Sequence, residues 1–402
     1  MAEQIPNQQA DVAIVGGGRV GMALALSLAT HGMASVMLES QALAKPSAKD
    51  PSNIDERTLV INPASQVFWQ NLGVWSAIEP HTTAIKYVHV SNQGQFGVVR
   101  FDHEELQVPQ LGHVVAAQKL ADILQQQIQQ TPLVTAIQPA KLTAFKTNEN
   151  GVELAYESLG QKHHIQSSLM VGADGVQSGI RKQLQLATEV KSYEKTAIIC
   201  GLKTDQRHHN RAFERLTQNG PMALLPHADR FGLVWSMPTA DSASSLALDD
   251  EAFMTAAQQQ FGYRAGEFLQ VGRRSSYPLY QIKVPKQHSQ RVLLMGNAAH
   301  AVSPVSAQGL NLAVRGIRRL VNILSKQHQQ GLDLGSDAVL SAYQAASDED
   351  QHRTLKYTDD LMTWFKIDEP LVNLGRSLGL LTIDANPSLK RWLYQTAGGL
   401  RS

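Results

Sequence analysis

At 402 residues, 43% hydrophobic and 18% charged, the chain is long enough for two lobes around an extended core and too apolar for global disorder. Its 36 Lys and Arg against 35 Asp and Glu leave a formal charge of +1, which supplies no basic field for nucleic acid and none for anionic lipid. A single cysteine, Cys200, cannot form an internal disulfide or carry a metal cluster, so no metal site is expected and a reducing cytoplasm fits. Cys200 follows Ala197-Ile198-Ile199, which reads as a buried strand rather than as the setting of a reactive thiol.

The chain opens with an apolar run, Asp11 to Val15, that ends in glycines and reads as a buried parallel strand. Val20 to Leu38 then lacks Asp, Glu, Lys and Arg and could be mistaken for a membrane span or a signal peptide. The acidic leader (Glu3, Asp11), the glycines before the stretch and the His31-Gly32 break within it argue for a helix over Val20 to Thr30 and a strand over Ser35 to Leu38. Strands follow at Tyr87 to Ser91 and Gly97 to Phe101, a helix at Leu120 to Ile128, and a short strand at Leu169 to Val171. Met222 to Leu225 and Gly232 to Trp235 read as further strands, Arg291 to Met295 as a buried strand, Leu310 to Leu324 as a helix, and the tail beyond Ser336 as mostly helical. Parallel-sheet signals near residues 11, 170 and 292, with antiparallel sheet between, predict an α/β fold. Its Rossmann-like nucleotide domain is made of separated segments (1–80, 110–190 and 285–330), with an antiparallel β-rich substrate domain inserted (81–109 and 191–284) and a C-terminal helical region (331–402).

Three glycine-rich sites carry the chemistry. Gly16-Gly17-Gly18-Arg19-Val20-Gly21 fits G-x-G-x-x-G between a strand and a helix, and Glu39, 18 positions past Gly21, ends the next strand. Gly16 allows the tight turn, Gly18 lets backbone approach a pyrophosphate, Gly21 lets helix and strand pack, and Glu39 suits ribose hydroxyls. This loop alone leaves NAD and FAD open. A second site, Gly172-Ala173-Asp174-Gly175, follows a strand and places Asp174 where it can reach amides or sugar hydroxyls. A third, Gly296-Asn297-Ala298-Ala299-His300 with Ser303-Pro304 and Gln308-Gly309-Leu310-Asn311, aims a helix start at whatever lies before it.

Together these sites resemble the FAD-dependent aromatic hydroxylases of the para-hydroxybenzoate hydroxylase type, over nearly the whole chain. Asp55-Glu56-Arg57-Thr58, Leu72-Gly73-Val74-Trp75, Gly220-Pro221-Met222-Ala223-Leu224-Leu225-Pro226, Arg211-Ala212-Phe213-Glu214-Arg215 and Arg274-Ser275-Ser276-Tyr277-Pro278-Leu279 look like the ubiquinone-biosynthesis branch, nearest to the hydroxylases of 2-polyprenyl-6-methoxyphenol. The resemblance implies FAD as cofactor. Gly16, Gly18, Gly21 and Glu39 would hold its ADP half, Arg57 would lie beside the flavin, and Asp174 would serve both FAD and NAD(P)H. Gly296 and Asn297 would contact the ribityl and pyrophosphate region, and Pro304, Gly309, Leu310 and Asn311 would border the ring. Asn297 stands where most of the family has Asp, Ser303 where His is usual, Ala307 where Gly is usual, and Gln118 where many relatives place Arg near the flavin.

The implied reaction is hydroxylation of a prenylated phenol, with NADPH or NADH reducing FAD and O2 supplying the oxygen atom. No second G-x-G-x-x-G exists for the nicotinamide nucleotide. No base can be named; His300 is a weak candidate beside a structural role, and His113 and His227 are weaker. Leu224, Leu225 and Trp235 are expected to wall an apolar pocket, or else to form the second domain's core. In the tail, Trp364, Phe365, Leu371, Leu374, Leu378, Leu380, Leu381, Trp392 and Tyr394 offer an apolar face for the inner surface of a membrane, for a biosynthetic assembly, or for the protein's own packing. A homo-oligomer is compatible with all of this. Two other functions compete: an isoprenoid reductase or dehydrogenase sharing the N-terminal loop, and a non-catalytic nucleotide sensor.

Overall fold

The structure, a computed structural model, describes residues 8–42, 57–303, 307–363 and 369–401. Pro304, Asp55, Glu56, Trp364 and Phe365 lie outside the described residues. The fold is the expected α/β arrangement, built on three sheets.

The first sheet runs His288–Ser289, Val292–Leu294, Gln161–Gly172, Gln8–Val15, Ser35–Leu38, Val134–Ile137. Its central pairings are parallel. The reason is written in the strand Gln8–Val15: Val12 and Ile14 enter one apolar core, Ala13 and Val15 another. A strand buried on both faces is the signature of a parallel sheet covered on both sides. The helices Arg19–Ala29, Ala117–Gln129 and Gly309–Gln329 share the first of these cores.

The second sheet has nine strands, and Glu189–Thr204 is its longest. The expected hairpin of Tyr87–Asn92 and Val98–Asp102 is antiparallel. One pairing departs from the antiparallel expectation: Arg211–Thr217 runs parallel to Tyr87–Asn92. The two strands are far apart in sequence, so no tight turn dictates their direction. A small third sheet, Thr58–Ile61, Gly112–Ala116 and Thr82–Ile85, lies between the other two in the chain's path.

The tail forms the helices Asp337–Thr363, Pro370–Ala385 and Pro387–Ala397. One side of the middle helix packs on its own protein. A Cβ on Gly97 would lie 2.6 Å from Ser377 Cα and Arg100 N donates to Asp384 Oδ1 at 2.8 Å, while in the last helix buried Lys390 pairs with Glu105 at 2.8 Å. The other side leaves Leu371, Leu374, Leu378 and Leu381 exposed at helical spacing. Among the described residues no helix is long and apolar enough to cross a membrane.

Candidate active site

Each glycine loop leaves the carboxyl end of a strand, and the three strands are neighbours in the first sheet. Ligands of parallel sheets bind in the crevice outside those ends. Backbone bonds fix the convergence: Ala173 N donates to Val15 O at 2.8 Å and Met295 N to Gly172 O at 2.9 Å. Gly16 has φ +115°, and a Cβ there would lie 2.3 Å from the Ala173 carbonyl oxygen. A Cβ on Gly21 would lie 1.9 Å from Gly16 O. The protein itself therefore requires both glycines. Gly18 differs, because no atom lies within 4 Å of a Cβ built there. Nothing among the described residues of the fold therefore requires glycine at this position.

Glu39 is drawn under the loop. Its Oε2 accepts from Gly17 N at 2.7 Å, and its Oε1 from Gln41 N at 2.8 Å and from Ser40 Oγ at 3.3 Å, which leaves a lone pair on Oε2 for a ribose hydroxyl. Gly17 is a requirement that the motif does not announce: a Cβ there would sit 2.6 Å from Glu39 Cβ. Asp174 Oδ2 accepts from Ile180 N at 3.3 Å, while Oδ1 is enclosed without a hydrogen-bond partner. An orphaned acceptor costs about 1–3 kcal/mol, which a sugar hydroxyl could offset. Buried Arg181, which motif reasoning passes over, donates to Ala298 O at 2.8 Å and Val176 O at 2.7 Å and so ties the second loop to the third. Gly296 has φ +59° and packs against Val20, and Asn297 is exposed on the same turn. An open glycine backbone, a ribose acceptor, an orphaned carboxylate oxygen and an exposed amide fit FAD's ADP and ribityl portions.

The helix Gly309–Gln329 begins without a side-chain cap from Gln308, and among the described residues no side chain accepts from the N–H of Gly309 or Leu310. The Asn311 side chain is used inside the protein. It accepts from Asn62 N at 3.1 Å and donates to Val60 O at 2.9 Å and Ala307 O at 2.8 Å, so it clamps the helix start to the small third sheet. Arg57 holds the helix Ala117–Gln129 through its carbonyl, which accepts from Ala117 N at 2.8 Å, and its guanidinium lies over the Tyr277 ring at 5.2 Å. Arg19, within the phosphate motif, donates to Ala117 O at 3.3 Å and joins this group. Gln118 is exposed and donates to Asp122 at 2.8 Å.

Across from these residues stands one face of the nine-stranded sheet. Strand alternation decides which side chains it shows. Phe213, Leu224, Leu233 and Cys200 are in register on the outer face, as are Met222 and Trp235, and they pack against Phe253 of the helix Asp250–Phe261. Leu224 and Trp235 therefore belong to the second lobe's core and do not wall the pocket. Leu225 faces inward, onto Val60, Ile85 and Val114 of the third sheet. The inner face carries Ala197, Ile199, Ala223 and Val234, closed by Leu279 and Met362, with Tyr277 at its border. It meets the Arg57 segment so closely that a Cβ on Gly232 would lie 2.6 Å from Thr58 Oγ1. Glu214, paired with Ala223, shares this face. Burial pushes its carboxyl up to about 8. Burial first, and then the Glu214 charge, pushes Tyr357 to about 12, although 46% of its surface is accessible.

A family model for an FAD binding domain matches residues 9–354. The chain belongs to that family. It is an FAD-dependent aromatic monooxygenase, with NAD(P)H the co-substrate typical of such enzymes. It is 31% identical to a ubiquinone hydroxylase, UbiL, of Rhodospirillum rubrum, over 97% of this chain and 90% of the relative. It is 29% identical to the 3-demethoxyubiquinol 3-hydroxylase of Escherichia coli, over 98% of this chain and all of the relative. The fold matches that of p-nitrophenol 4-monooxygenase from Pseudomonas putida with a TM-score of 0.81 at 17% identity, covering 98% of this chain and 100% of the other.

The electrostatics define His300 further. It is buried, and that burial outweighs the other influences and lowers it to about 4, so the ring is neutral at physiological pH. The charges that reach it come from Arg315 and Asp350, and Asp350 binds Arg315 at 2.8 Å and Arg319 at 2.7 Å. Cys200 is fully buried in the outer core. Among the described residues no His, Cys, Asp and Glu group could hold a metal ion.

Proposed function

We propose that this enzyme hydroxylates the ring of a prenylated phenol in ubiquinone biosynthesis, with 2-polyprenyl-6-methoxyphenol as the expected substrate and NADPH or NADH as reductant. The observation that carries the reading is the meeting of the three-loop crevice with the inner face of the second sheet at Arg57, Tyr277, Thr58 and Gly232. The names of the curated relatives support the substrate class. In this reading segments 1–80, 110–190 and 285–330 hold FAD, while 81–109 and 191–284 hold the substrate.

When bound, FAD supplies the redox chemistry; the protein supplies position, polarity and dryness. Glu39, Asp174, Asn297 and the Gly18 backbone grip the nucleotide, and Arg57 borders its reactive end. The inner face is apolar, as a prenyl-bearing ring requires. Glu214, neutral at pH 7, can donate a hydrogen bond to a phenol oxygen and accept one from the phenol O–H at its carbonyl oxygen; only its ionised form, present above about pH 8, can take the phenolic proton.

A prenyl tail is held by lipid, and the exposed stripe of Leu371, Leu374, Leu378 and Leu381 is the surface on which the enzyme would meet it. The packing of the tail on strand Val98–Asp102 makes wholesale deletion a poor test. Leu374→Gln with Leu378→Gln should instead reduce co-sedimentation with liposomes while the protein stays folded.

The reaction itself is tested with the FAD-loaded protein, NADPH or NADH, and air, with and without a prenylphenol. One hydroxylated product per reductant consumed is expected. A product that gains hydrogen but no oxygen favours an isoprenoid reductase, and nucleotide binding without reductant consumption favours a sensor.

A further inference from the structure

The outer surface of the second sheet, facing away from the cofactor crevice, carries a cavity of about 420 Å³ at its edge. Tyr87, His89, Arg100, Arg211, Phe213 and Arg264 line it, together with the Asp102 carboxylate beside Tyr87. Register puts Arg211 beside Tyr87, Phe213 beside His89, and His89 beside Arg100, all on the face opposite Glu214. Arg264 donates to His89 Nε2 at 3.1 Å, and the Arg211 guanidinium lies over the Tyr87 ring at 5.4 Å. The ring nitrogen that accepts from Arg264 makes His89 neutral. Burial, and then the charges of Arg264, Arg100, Arg211 and Arg215, pull it down to about 4. The acids nearby do not balance the arginines. Asp384 lies 3.7 Å from Arg100, Asp102 accepts from Glu104 N at 2.8 Å, and no carboxylate among the described residues pairs with Arg211 or Arg264.

We propose that this cavity is a phosphate-binding site, separate from the cofactor crevice, which takes a phosphate ester through Arg100, Arg211 and Arg264. Guanidinium forks match phosphate oxygens two at a time, and a phosphate near two negative charges offsets the unpaired pair Arg211 and Arg264 where a carboxylate would offset one. The volume exceeds what the anion alone needs, and the Tyr87 and Phe213 rings give the organic remainder an apolar wall. The phosphate can come from a soluble metabolite or from a lipid headgroup. The second source has a structural basis: Leu381 of the exposed stripe lies one helical turn from Asp384, which holds Arg100.

The test uses the full-length, FAD-loaded protein with Arg211→Gln and Arg264→Gln. Both residues are exposed, so FAD content and melting temperature should not change. Calorimetric titration with pyrophosphate, with malonate at matched ionic strength as control, runs beside sedimentation with vesicles of phosphatidylcholine alone or mixed with phosphatidylglycerol. Pyrophosphate is expected to bind more tightly than malonate, and each substitution to weaken it about tenfold, the loss of one charge-assisted hydrogen bond. Loss confined to pyrophosphate supports the soluble source; a parallel loss of binding to the anionic vesicles supports the headgroup. Equal binding of malonate, no binding of either anion or vesicle, or binding that both substitutions leave intact overturns the proposal.

Discussion

Gly18→Ala separates what the phosphate loop does for the fold from what it does for the cofactor. A Cβ at Gly18 meets no atom within 4 Å, and the residue has φ −70° and ψ 178°, which alanine adopts freely. Restricting the unfolded chain should stabilise the variant by about 0.4–1 kcal/mol, and replacing Gly by Ala at a helix N-cap costs about 0.5–1 kcal/mol, so the two nearly cancel and the apoprotein should be nearly unchanged. A methyl group there pushes a pyrophosphate off the loop amides. Losing two hydrogen bonds to a charged group, at about 1.5–3 kcal/mol each, lowers FAD affinity by at least 100-fold. Gly21→Ala behaves differently, since its Cβ would lie 1.9 Å from Gly16 O and the apoprotein itself must shift, at a cost of about 1–3 kcal/mol or more. Thermal melts of the apoproteins and fluorescence titrations with FAD measure both quantities. An unchanged FAD affinity in Gly18→Ala, or an apoprotein melting as early as Gly21→Ala, would refute the reasoning.

Asp350→Ala strands Arg315, which is 5% exposed, and should cost about 3–5 kcal/mol. Adding Arg315→Met should recover part of this, because Arg319 and Arg353 can turn to water; purely additive melting shifts would contradict it. Burial raises the Asp350 carboxyl, but its bonds to Arg315 and Arg319 prevail and hold it below the usual range. Its contribution is therefore present at neutral pH and fades as pH falls through that depressed value. Glu214, raised from 4.5 to about 8, contributes stability that is full below pH 4.5 and fades as pH rises towards 8; Glu214→Gln should flatten that part of the melting-temperature profile and alter turnover near pH 8. His300, lowered to about 4, contributes stability that is full above pH 6.5 and lost towards pH 4. His300→Asn should flatten that acid limb yet leave the pH–rate profile between 6 and 9 in place, and a lost limb there would make it a proton carrier after all. Gly232→Ala, forced against Thr58, should lower both the melting temperature and turnover, by about 1–3 kcal/mol in stability.

Local order carried most of what the sequence revealed. The β-α-β start reads correctly because Val12 to Val15 is apolar without alternation and glycines follow at once, and the same logic finds Arg291 to Met295. The strand Gln161–Gly172 is legible only at its end. Its first half is a solvent-facing hairpin partner of Val152–Ser158, where exposed polar side chains hide the pattern. Of the two placements the sequence left open for Leu224 and Trp235, the structure shows packing in the second lobe's core, one residue of register from the inner face. Leu224 and Trp235 are large apolar side chains, but strand alternation turns them to the outer core, and the inner face carries their neighbours Ala223 and Val234. Glu214, a lone acid in the run from Ala212 to Leu216, was a signal available in sequence for a polar group on the inner face. Asn311 shows the converse: a motif residue beside the cofactor end whose side chain is consumed by Asn62, Val60 and Ala307.

In the proposed reading, FAD held by residues near 18, 174 and 297 bridges stretches of chain that are far apart in synthesis. Flavin then acts on the whole molecule as a fastener: at 100 times its dissociation constant, a ligand specific for the folded form adds about 2.7 kcal/mol against unfolding. The abundance of this protein in a cell should accordingly follow the supply of flavin, with molecules made during scarcity lost to proteolysis before they catalyse anything.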